Sequence, residues 1–402
     1  MRALARWLLL GLAFSIPWEY SLDLGSPLGN VARIMGLALL LVMAPAVLQA
    51  GRMRRLHPLH WLVLALLAWS AVSYFWSVDS QATLAQVRGY VQETMIAWFV
   101  WELIDSPDQM RDLLRCYVAG SWVLAGLTIA NFISPDAAGQ IRFVAQGQDP
   151  NDVARFLDLG FPLGALLVNG HTRWGDKLLV LGYMPLGLLG VLLTASRSGL
   201  IAAVIALAGC GLMLARNRSR TVIAIALPAV LLAFWVAVPQ GTTDRILSTP
   251  QALAGGDLNQ RLSIWAAGWE AFARAPLVGT GAGTFLSATH LPLGVTAHNT
   301  ALAIAVEGGV VALLAAAAVL ALAAASVLAM QGIMRMGLGT ALLVWLVNAL
   351  VLSIQTNRAT WLLLGTIVVA GRLAAEQPGE LARVFPQPGA ASEPAPLAVA
   401  AE

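Results

Sequence analysis

The sequence predicts an all-α integral membrane protein with about twelve membrane-spanning helices. Two observations lead to this prediction. Hydrophobic residues make up 58% of the chain and charged residues 11%, whereas about a quarter of the residues in a soluble domain are charged. Apolar runs close to the roughly 20 residues that a helix needs to cross a bilayer recur along most of the chain. Because backbone groups in lipid must be hydrogen-bonded within the protein, we expect these runs to be helices.

The apolar runs predict one polytopic membrane domain over residues 1–376. Its predicted spans are 5–20, 31–50, 59–76, 83–103, 113–134, 153–170, 177–194, 198–215, 221–239, 299–328, 337–355 and 359–374. Between the ninth and tenth spans, residues 240–298 or thereabouts are predicted to form a long, partly helical loop outside the membrane. Residues 377–402 are rich in proline and alanine, and this composition predicts a disordered tail.

The basic residues indicate the orientation of these helices. About 15 of the 24 arginine and lysine residues fall on one side, in the loops at 51–58, 171–177, 216–220 and 334–336 and in the tail. The positive-inside rule makes that side cytoplasmic, so both termini are predicted to be cytoplasmic. The chain has no basic run long enough to indicate nucleic-acid binding.

The opposite, outer side carries arginines that the same rule disfavours. They are Arg142, Arg155, Arg197, Arg245, Arg261, Arg274 and Arg358. Cations kept on the disfavoured side indicate a function there, which a purely structural scaffold would not need. Cys116 and Cys210 both lie in apolar spans, which argues against a disulfide framework or a thiolate metal site.

Arg197 stands in the turn "TASRSG", residues 194–199, between two strongly apolar spans. Ser196 is placed to cap the following helix, whose N-terminus adds positive dipole at the same point. A cation beside a helix N-terminus is suited to binding phosphate. A snorkelling arginine that marks a helix end is the other interpretation, and the residue alone does not decide between them.

Residues 258–274 or thereabouts are predicted to form an amphipathic helix in the outer loop. Its apolar stripe consists of Leu262, Trp265, Trp269 and Phe272. Glu270 and Arg274 lie away from that stripe and are predicted to form an i,i+4 ion pair. Such a helix can lie at the membrane surface or form a lid on the helix bundle. Arg261 begins the helix. The following "GTGAGTF" has neither a preceding strand nor a lysine, so a nucleotide-binding loop is rejected.

His298 and Glu307 lie in "AHNTALAIAVEGG", residues 297–309. His298 begins the tenth span beside the outer loop, where imidazole is suited to be a general base. A helix-cap role shared with Asn299 is the alternative. Glu307 is about 13 Å deeper along the helix, where we expect it to pair with an arginine or to line a wet cavity.

Three carboxylates occur in "GQDPNDVARFLDLG", residues 147–160, namely Asp149, Asp152 and Asp158. They could hold a divalent metal ion. However, Asp149 as N-cap, Pro150 at the first helical position and Asp152 at the third form an acidic variant of a capping box. We favour the cap over a metal site, and no other motif has metal-ligand spacing.

Taken in order, these motifs resemble the O-antigen ligase and polymerase superfamily of bacterial membrane glycosyltransferases. The resemblance is carried by "DPNDVA" and "TASRSG", by "RLSIW" followed by "PLVGTGAGTF", and by "HNTALAIAVEGG". It implies a GT-C-like fold in the bacterial inner membrane. It also implies transfer of a glycan from undecaprenyl diphosphate to an acceptor hydroxyl on the periplasmic face, with inversion and without a metal or other cofactor.

The resemblance also assigns roles to residues. Arg197 and Arg261 would bind the diphosphate, because arginine binds it bidentately and fixed cations stabilise the charge that grows on the leaving group. His298 would be the base or would orient the acceptor, with Asn299 beside it. Arg142 and Arg358 lie outside the matched motifs, and their predicted place in the substrate site is inferred from their position on the outer side.

Three functions remain open. A ligase would transfer the polysaccharide to lipid A–core, whereas a polymerase would extend another lipid-linked glycan. The modest outer loop favours the ligase. An anion transporter would also need arginines in a polar cavity, but it would have little need of a lid helix. Internal repeats typical of transporters are not evident in the sequence.

Overall fold

The computed structural model describes residues 1–386 except 26–28, 51–52, 136–137, 169–172, 215–237, 249–250, 252–254, 256–259 and 293–294. The described residues are helical and contain no β-strand, so the all-α prediction is confirmed. Fifteen α-helices occur among them. They are α1 (Arg2–Ser15), α2 (Val31–Ala50), α3 (Pro58–Val72), α4 (Ser80–Leu103), α5 (Pro107–Phe132), α6 (Pro150–Leu167), α7 (Trp174–Leu193), α8 (Arg197–Leu214), α9 (Gln240–Leu247), α10 (Arg261–Arg274), α11 (Phe285–Thr289), α12 (Thr300–Ala329), α13 (Gly332–Ala349), α14 (Arg358–Glu376) and α15 (Pro378–Val384).

Seven of the described helices are long and apolar enough to cross a membrane. They are α3 with the 3₁₀ turn that follows it, α5, α7, α8, α12, α13 and α14. Other predicted spans are helical but more polar or shorter. Helix α4 carries Arg88 and Glu93, and α6 carries several charged residues in its first half. The predicted ninth span at 221–239 lies almost wholly outside the described residues, so the number twelve stays a prediction.

The long helices pack side by side into one bundle. Helix α14 packs against α4, α5 against α7, and α6 against both α8 and α13. Small residues allow these close contacts, as is common between helices in membranes. A Cβ atom at Gly120 of α5 would lie 2.0 Å from the carbonyl oxygen of Phe14. Because glycine has no Cβ atom, α5 can pack directly against the C-terminal end of α1.

Helix α12 is interrupted at Gly309, whose φ of 66° and ψ of −167° are not helical. A Cβ atom there would lie 2.2 Å from the carbonyl oxygen of Leu277. The segment 276–281 supplies the hydrogen bonds that the helix loses. Thr280 donates its N–H to the carbonyl of Val306 over 2.9 Å, and Val310 donates to Pro276 over 2.8 Å. The interruption thus anchors the outer loop on the bundle.

Helix α10 lies where an amphipathic helix is predicted, but its buried stripe differs. Ile264, Gly268 and Ala271 are the buried residues, and they pack with residues of α11 and α12. Two residues of the predicted apolar stripe are exposed, Trp269 at 58% and Leu262 at 45%. Their contact with a membrane surface stays a prediction. Gly268 has no side chain, so this side of the helix packs closely against Leu302 and Phe285. Trp269 therefore lies on the side that faces away from the bundle.

The prediction of a disordered tail does not hold for its first residues. Pro378–Val384 form α15, and Leu381 and Val384 are buried. The helix packs against α5 and α14, so apolar contact outweighs the proline-rich composition here. Residues 387–402 lie outside the described part of the chain.

Candidate functional site

The N-termini of α6 and α8 meet at the turn that carries Arg197. A Cβ atom at Gly199 would lie 2.3 Å from that of Ala154, so only glycine permits this approach. Ala195 has a φ of 48°, and this left-handed residue reverses the chain between α7 and α8. The Ser196 hydroxyl accepts the Gly199 N–H over 3.2 Å. The predicted Ser196 cap is confirmed, and Arg197 is the first residue of α8.

Helix α9 of the outer loop lies across this turn. The Nε of Arg197 donates to the carbonyl oxygen of Arg245 over 3.2 Å, and its Nη2 donates to the Ser248 hydroxyl over 2.8 Å. In return, the Nε of Arg245 donates to the carbonyl oxygen of Ala195 over 3.4 Å. Two guanidinium groups are therefore held side by side by neutral oxygen atoms.

Arg142 approaches the same turn from the loop before α6. Its Nε donates to the carbonyl oxygen of Thr194 over 2.9 Å. Burial and the guanidinium of Arg245 lower the pKa of Arg142 to about 10. Arg197 and Arg261 act in the same direction, and Asp149 opposes them. Three half-buried guanidinium groups therefore meet at this turn, and half-buried Arg261 is close enough for its charge to act on Arg142.

Among the residues that the structure describes, none of these four arginines forms an ion pair with a carboxylate. Buried arginines elsewhere do so. Arg155 pairs with Asp152 over 2.8 Å, and Arg111 pairs with Asp176 over 2.7 Å. Asp149 is near enough to act on Arg142 and Arg261 without pairing with either, so the positive charges outnumber it, which is unfavourable when they are partly buried. The site is therefore suited to a polyanionic ligand.

His298 lies just before α12 with a φ of 46°. Its Nδ1 is 3.4 Å from the Thr296 hydroxyl. The preceding residue, Ala297, is bound to α10, because the indole N–H of Trp265 donates to its carbonyl oxygen over 3.1 Å. Burial lowers the pKa of His298 below its ordinary value, and the charge of Arg261 adds to this effect. A neutral imidazole near neutral pH can accept a proton.

Charges at the N-terminus of α6 also act on His298. The charges of Asp149 and Asp152 act on the imidazole against the effect of Arg261. Asp149 accepts the Asn151 N–H over 2.8 Å and is the N-cap of α6. The predicted cap is confirmed for Asp149 and Pro150, whereas Asp152 pairs with Arg155 instead of completing a capping box.

Asn299 is used structurally. Its Oδ1 accepts the Leu302 N–H over 2.9 Å, which caps α12, and its Nδ2 donates to the carbonyl oxygen of Leu350 over 3.2 Å. This confirms a helix cap at Asn299, whereas the side chain of His298 contacts Thr296. A contact with substrate stays a prediction.

Arg358 belongs to a different group of charges. It begins α14 and pairs with Glu19, which is fully buried at the end of the first helical segment. Glu93 and Arg155 also act on this pair. The structure thus brings together Arg142, Arg197, Arg261 and His298, and it gives Arg358 an internal partner that the sequence did not indicate.

Glu307 does not pair with an arginine in the described structure. Its carboxylate interacts with the backbone of Gly283 and Phe285, and its carbonyl oxygen accepts the Gly281 N–H over 2.9 Å, so Glu307 contacts the "GTGAGTF" segment at the interruption of α12. Glu307 also lines a cavity of about 260 Å³. That cavity is mainly apolar, with Trp69 and Trp361 among its walls, and it differs from the wet cavity that the sequence predicts.

Fold and site define an all-helical, multi-pass membrane protein with a cationic site at one end of its bundle. Residues 182–317 match the family model described as O-Antigen ligase. This match over residues 182–317 confirms the resemblance to that superfamily, whose members are membrane glycosyltransferase-like enzymes. No curated protein matches the chain.

The matched segment contains Arg197, Arg245, Arg261 and His298, whereas Arg142 precedes it. Arg245 is one of the outer arginines of the sequence, but no motif marks it as a site residue. Asn151 lies within "DPNDVA", where the two acidic residues near it indicate only a cap. Both residues reach the site through contacts that are distant in sequence.

Proposed function

We propose that the protein is an O-antigen ligase-type glycosyltransferase. It would transfer a polysaccharide from undecaprenyl diphosphate to a hydroxyl of lipid A–core. The proposal includes twelve spans in the inner membrane, cytoplasmic termini and a periplasmic site. The observation that carries it is the group of four half-buried arginines without carboxylate partners among the described residues. A lipid-linked diphosphate has the charge and the location to neutralise them.

The arginines would bind the donor and stabilise the leaving group. As the glycosidic bond breaks, negative charge grows on the diphosphate, and preorganised cations lower the energy of that transition state. Arg197 and Arg261 come from the family-like motifs, Arg142 from its position, and Arg245 from the structure. Arg358 is left out of this site because its guanidinium already pairs with Glu19.

His298 would accept the proton. The acceptor oxygen attacks the anomeric carbon, a new C–O bond forms, and the bond to the diphosphate oxygen breaks on the opposite face. The configuration is therefore inverted, and the hydroxyl proton passes to the imidazole. The lowered pKa of His298 supports this role, since the ring is neutral before the reaction.

The test uses purified protein in detergent, undecaprenyl-diphosphate glycan as donor, a chelator, and lipid A–core as acceptor. Glycan joined to lipid A–core is the expected result. Longer lipid-linked glycans, formed with donor alone, would instead support a polymerase. Absence of both products with folded protein would contradict the proposal.

A lysine variant separates bidentate binding from simple charge. Arg197→Lys keeps the charge but loses the planar guanidinium, so we expect transfer to fall by about a hundredfold, which corresponds to the loss of two charge-assisted hydrogen bonds. Arg274→Lys is the matched control, because Arg274 is exposed on the outer loop and pairs with Glu270. Full activity of Arg197→Lys would contradict the site.

Anion transport makes a different prediction. An interrupted helix such as α12 is typical of transporters, but here segment 276–281 hydrogen-bonds the freed backbone groups. Uptake of pyrophosphate into proteoliposomes without glycan transfer would favour transport.

A further inference from the structure

The Asn151 side chain joins the two loops that carry arginines. Asn151 is the second residue of α6, and its backbone is held by the Asp149 cap. Its Oδ1 accepts the Ser196 hydroxyl over 2.8 Å and the Nη2 of Arg142 over 3.3 Å. One amide oxygen thus connects α6, the turn before α8 and the loop before α6.

Each of these partners is held by a second contact. Ser196 accepts the Gly199 N–H and so caps α8, the helix that begins with Arg197. Arg142 also donates its Nε to Thr194 in the same turn. The position of Arg142 relative to Arg197 therefore depends on the shared oxygen of Asn151.

The hydrogen-bond acceptor of Arg142 is the neutral amide oxygen of Asn151, whereas carboxylates bind arginines elsewhere in the bundle. Arg155 and Arg358 are held by Asp152 and Glu19 and lose their net charge in the pair. An amide oxygen orients a guanidinium group without neutralising it. The full positive charge of Arg142 therefore remains available to a ligand.

We propose that Asn151 is a positioning residue that fixes Arg142 beside the N-terminus of α8 and leaves its charge free for the donor diphosphate. This inference rests on the proposed function. The chemistry explains why asparagine is suited to the position: aspartate would hold Arg142 but cancel its charge, and an apolar residue would release it.

Two substitutions separate these roles. Asn151→Leu has a similar shape and loses both hydrogen bonds. Asn151→Asp keeps an acceptor for both donors, and an acidic residue in the first turn stabilises a helix. We expect both variants to bind the donor about tenfold more weakly, the change that corresponds to one charge-assisted hydrogen bond. Only Asn151→Leu is expected to have a lower melting temperature.

Two measurements are made on the full chain in detergent. The first is the transfer assay, in which KM for undecaprenyl-diphosphate glycan and kcat are determined separately and each is compared with wild type. The second is the rise in melting temperature with inorganic pyrophosphate, which reports anion binding even without turnover. Asn348→Leu and Asn348→Asp are the controls, because Asn348 is a buried asparagine of α13 that donates to its own helix.

The outcomes are distinct. A higher KM and weaker pyrophosphate binding in Asn151→Asp, at unchanged melting temperature, would support the inference, since a purely structural role predicts wild-type binding. Wild-type affinity in either Asn151 variant would overturn it. If wild-type protein binds pyrophosphate but transfers no glycan, the proposed function is contradicted. Pyrophosphate binding by the Asn151 variants then still tests whether Asn151 positions Arg142.

Discussion

Arg197 and Arg245 are fixed side by side by each other's chain segments. Arg197 donates to the carbonyl oxygen of Arg245, and Arg245 donates to that of Ala195. These contacts use backbone oxygens, so each arginine can be replaced without removing the acceptor of the other. The close approach of two cations raises the energy of the empty site, and burial with the charge of Arg197 lowers the pKa of Arg245. An anionic ligand relieves this repulsion.

Arg245→Gln is therefore expected to weaken anion binding without unfolding the site. Arg197 keeps its contact with the backbone oxygen of residue 245 and loses a repulsive neighbour. We expect pyrophosphate affinity to fall about tenfold while the melting temperature stays within a few degrees of wild type. Thermal denaturation over a pyrophosphate series measures both quantities, with Arg274→Gln as control. Unchanged affinity would remove Arg245 from the site.

The pH dependence of transfer is expected to respond to the charges around His298. Burial and Arg261 lower its pKa, and Asp149 opposes them. A base is active when deprotonated, so the acidic limb of kcat/KM reports this pKa. Arg261→Gln removes a cation, raises the pKa and moves the limb to higher pH. Asp149→Asn removes an anion and moves it to lower pH.

Asparagine caps a helix about as well as aspartate, so Asp149→Asn keeps the start of α6. The measurement is a pH series of kcat/KM with saturating acceptor. If both variants shift the limb in the same direction, or neither does, His298 is not the titrating base.

Trp265 is expected to support His298 through the backbone. Trp265→Phe keeps apolar packing but removes the N–H that donates to Ala297 over 3.1 Å, a loss of about 1 kcal/mol. We expect kcat to fall severalfold while pyrophosphate affinity is unchanged. Steady-state kinetics and thermal denaturation measure these effects. Trp269→Phe on the same helix is the control, because Trp269 is exposed. Equal losses in both variants would refute the specific role.

The Glu19–Arg358 pair is expected to stabilise the fold rather than bind donor. Removing either partner leaves a buried charge unpaired, which costs about 3–5 kcal/mol. Glu19→Gln and Arg358→Gln should both lower the melting temperature strongly. The protein that remains folded should bind pyrophosphate as wild type does. Arg358→Gln with normal stability and no pyrophosphate binding would instead return Arg358 to the donor site.

Local features of the site were predictable because they depend on neighbouring residues. The caps at Asp149, Ser196 and Asn299 each use a backbone N–H two or three residues ahead. The helix around 258–274 followed from its periodic apolar residues, and the Glu270–Arg274 pair from their spacing. Which side of that helix is buried depended on Gly268 meeting Leu302 and Phe285, a contact that the apolar pattern does not encode.

The sequence by itself determined the all-helical membrane class, the helix starts that carry Arg197 and His298, and the order of the family-like motifs. These follow from composition, hydrophobic runs and short-range capping. Only the tertiary structure decided which arginines share a site. Arg358 is held by Glu19, which is 339 positions away, whereas Arg245 joins Arg197 across 48 positions. Whether a cation is neutralised or left free depends on carboxylates brought near it by helix packing, and that is a property of the folded chain.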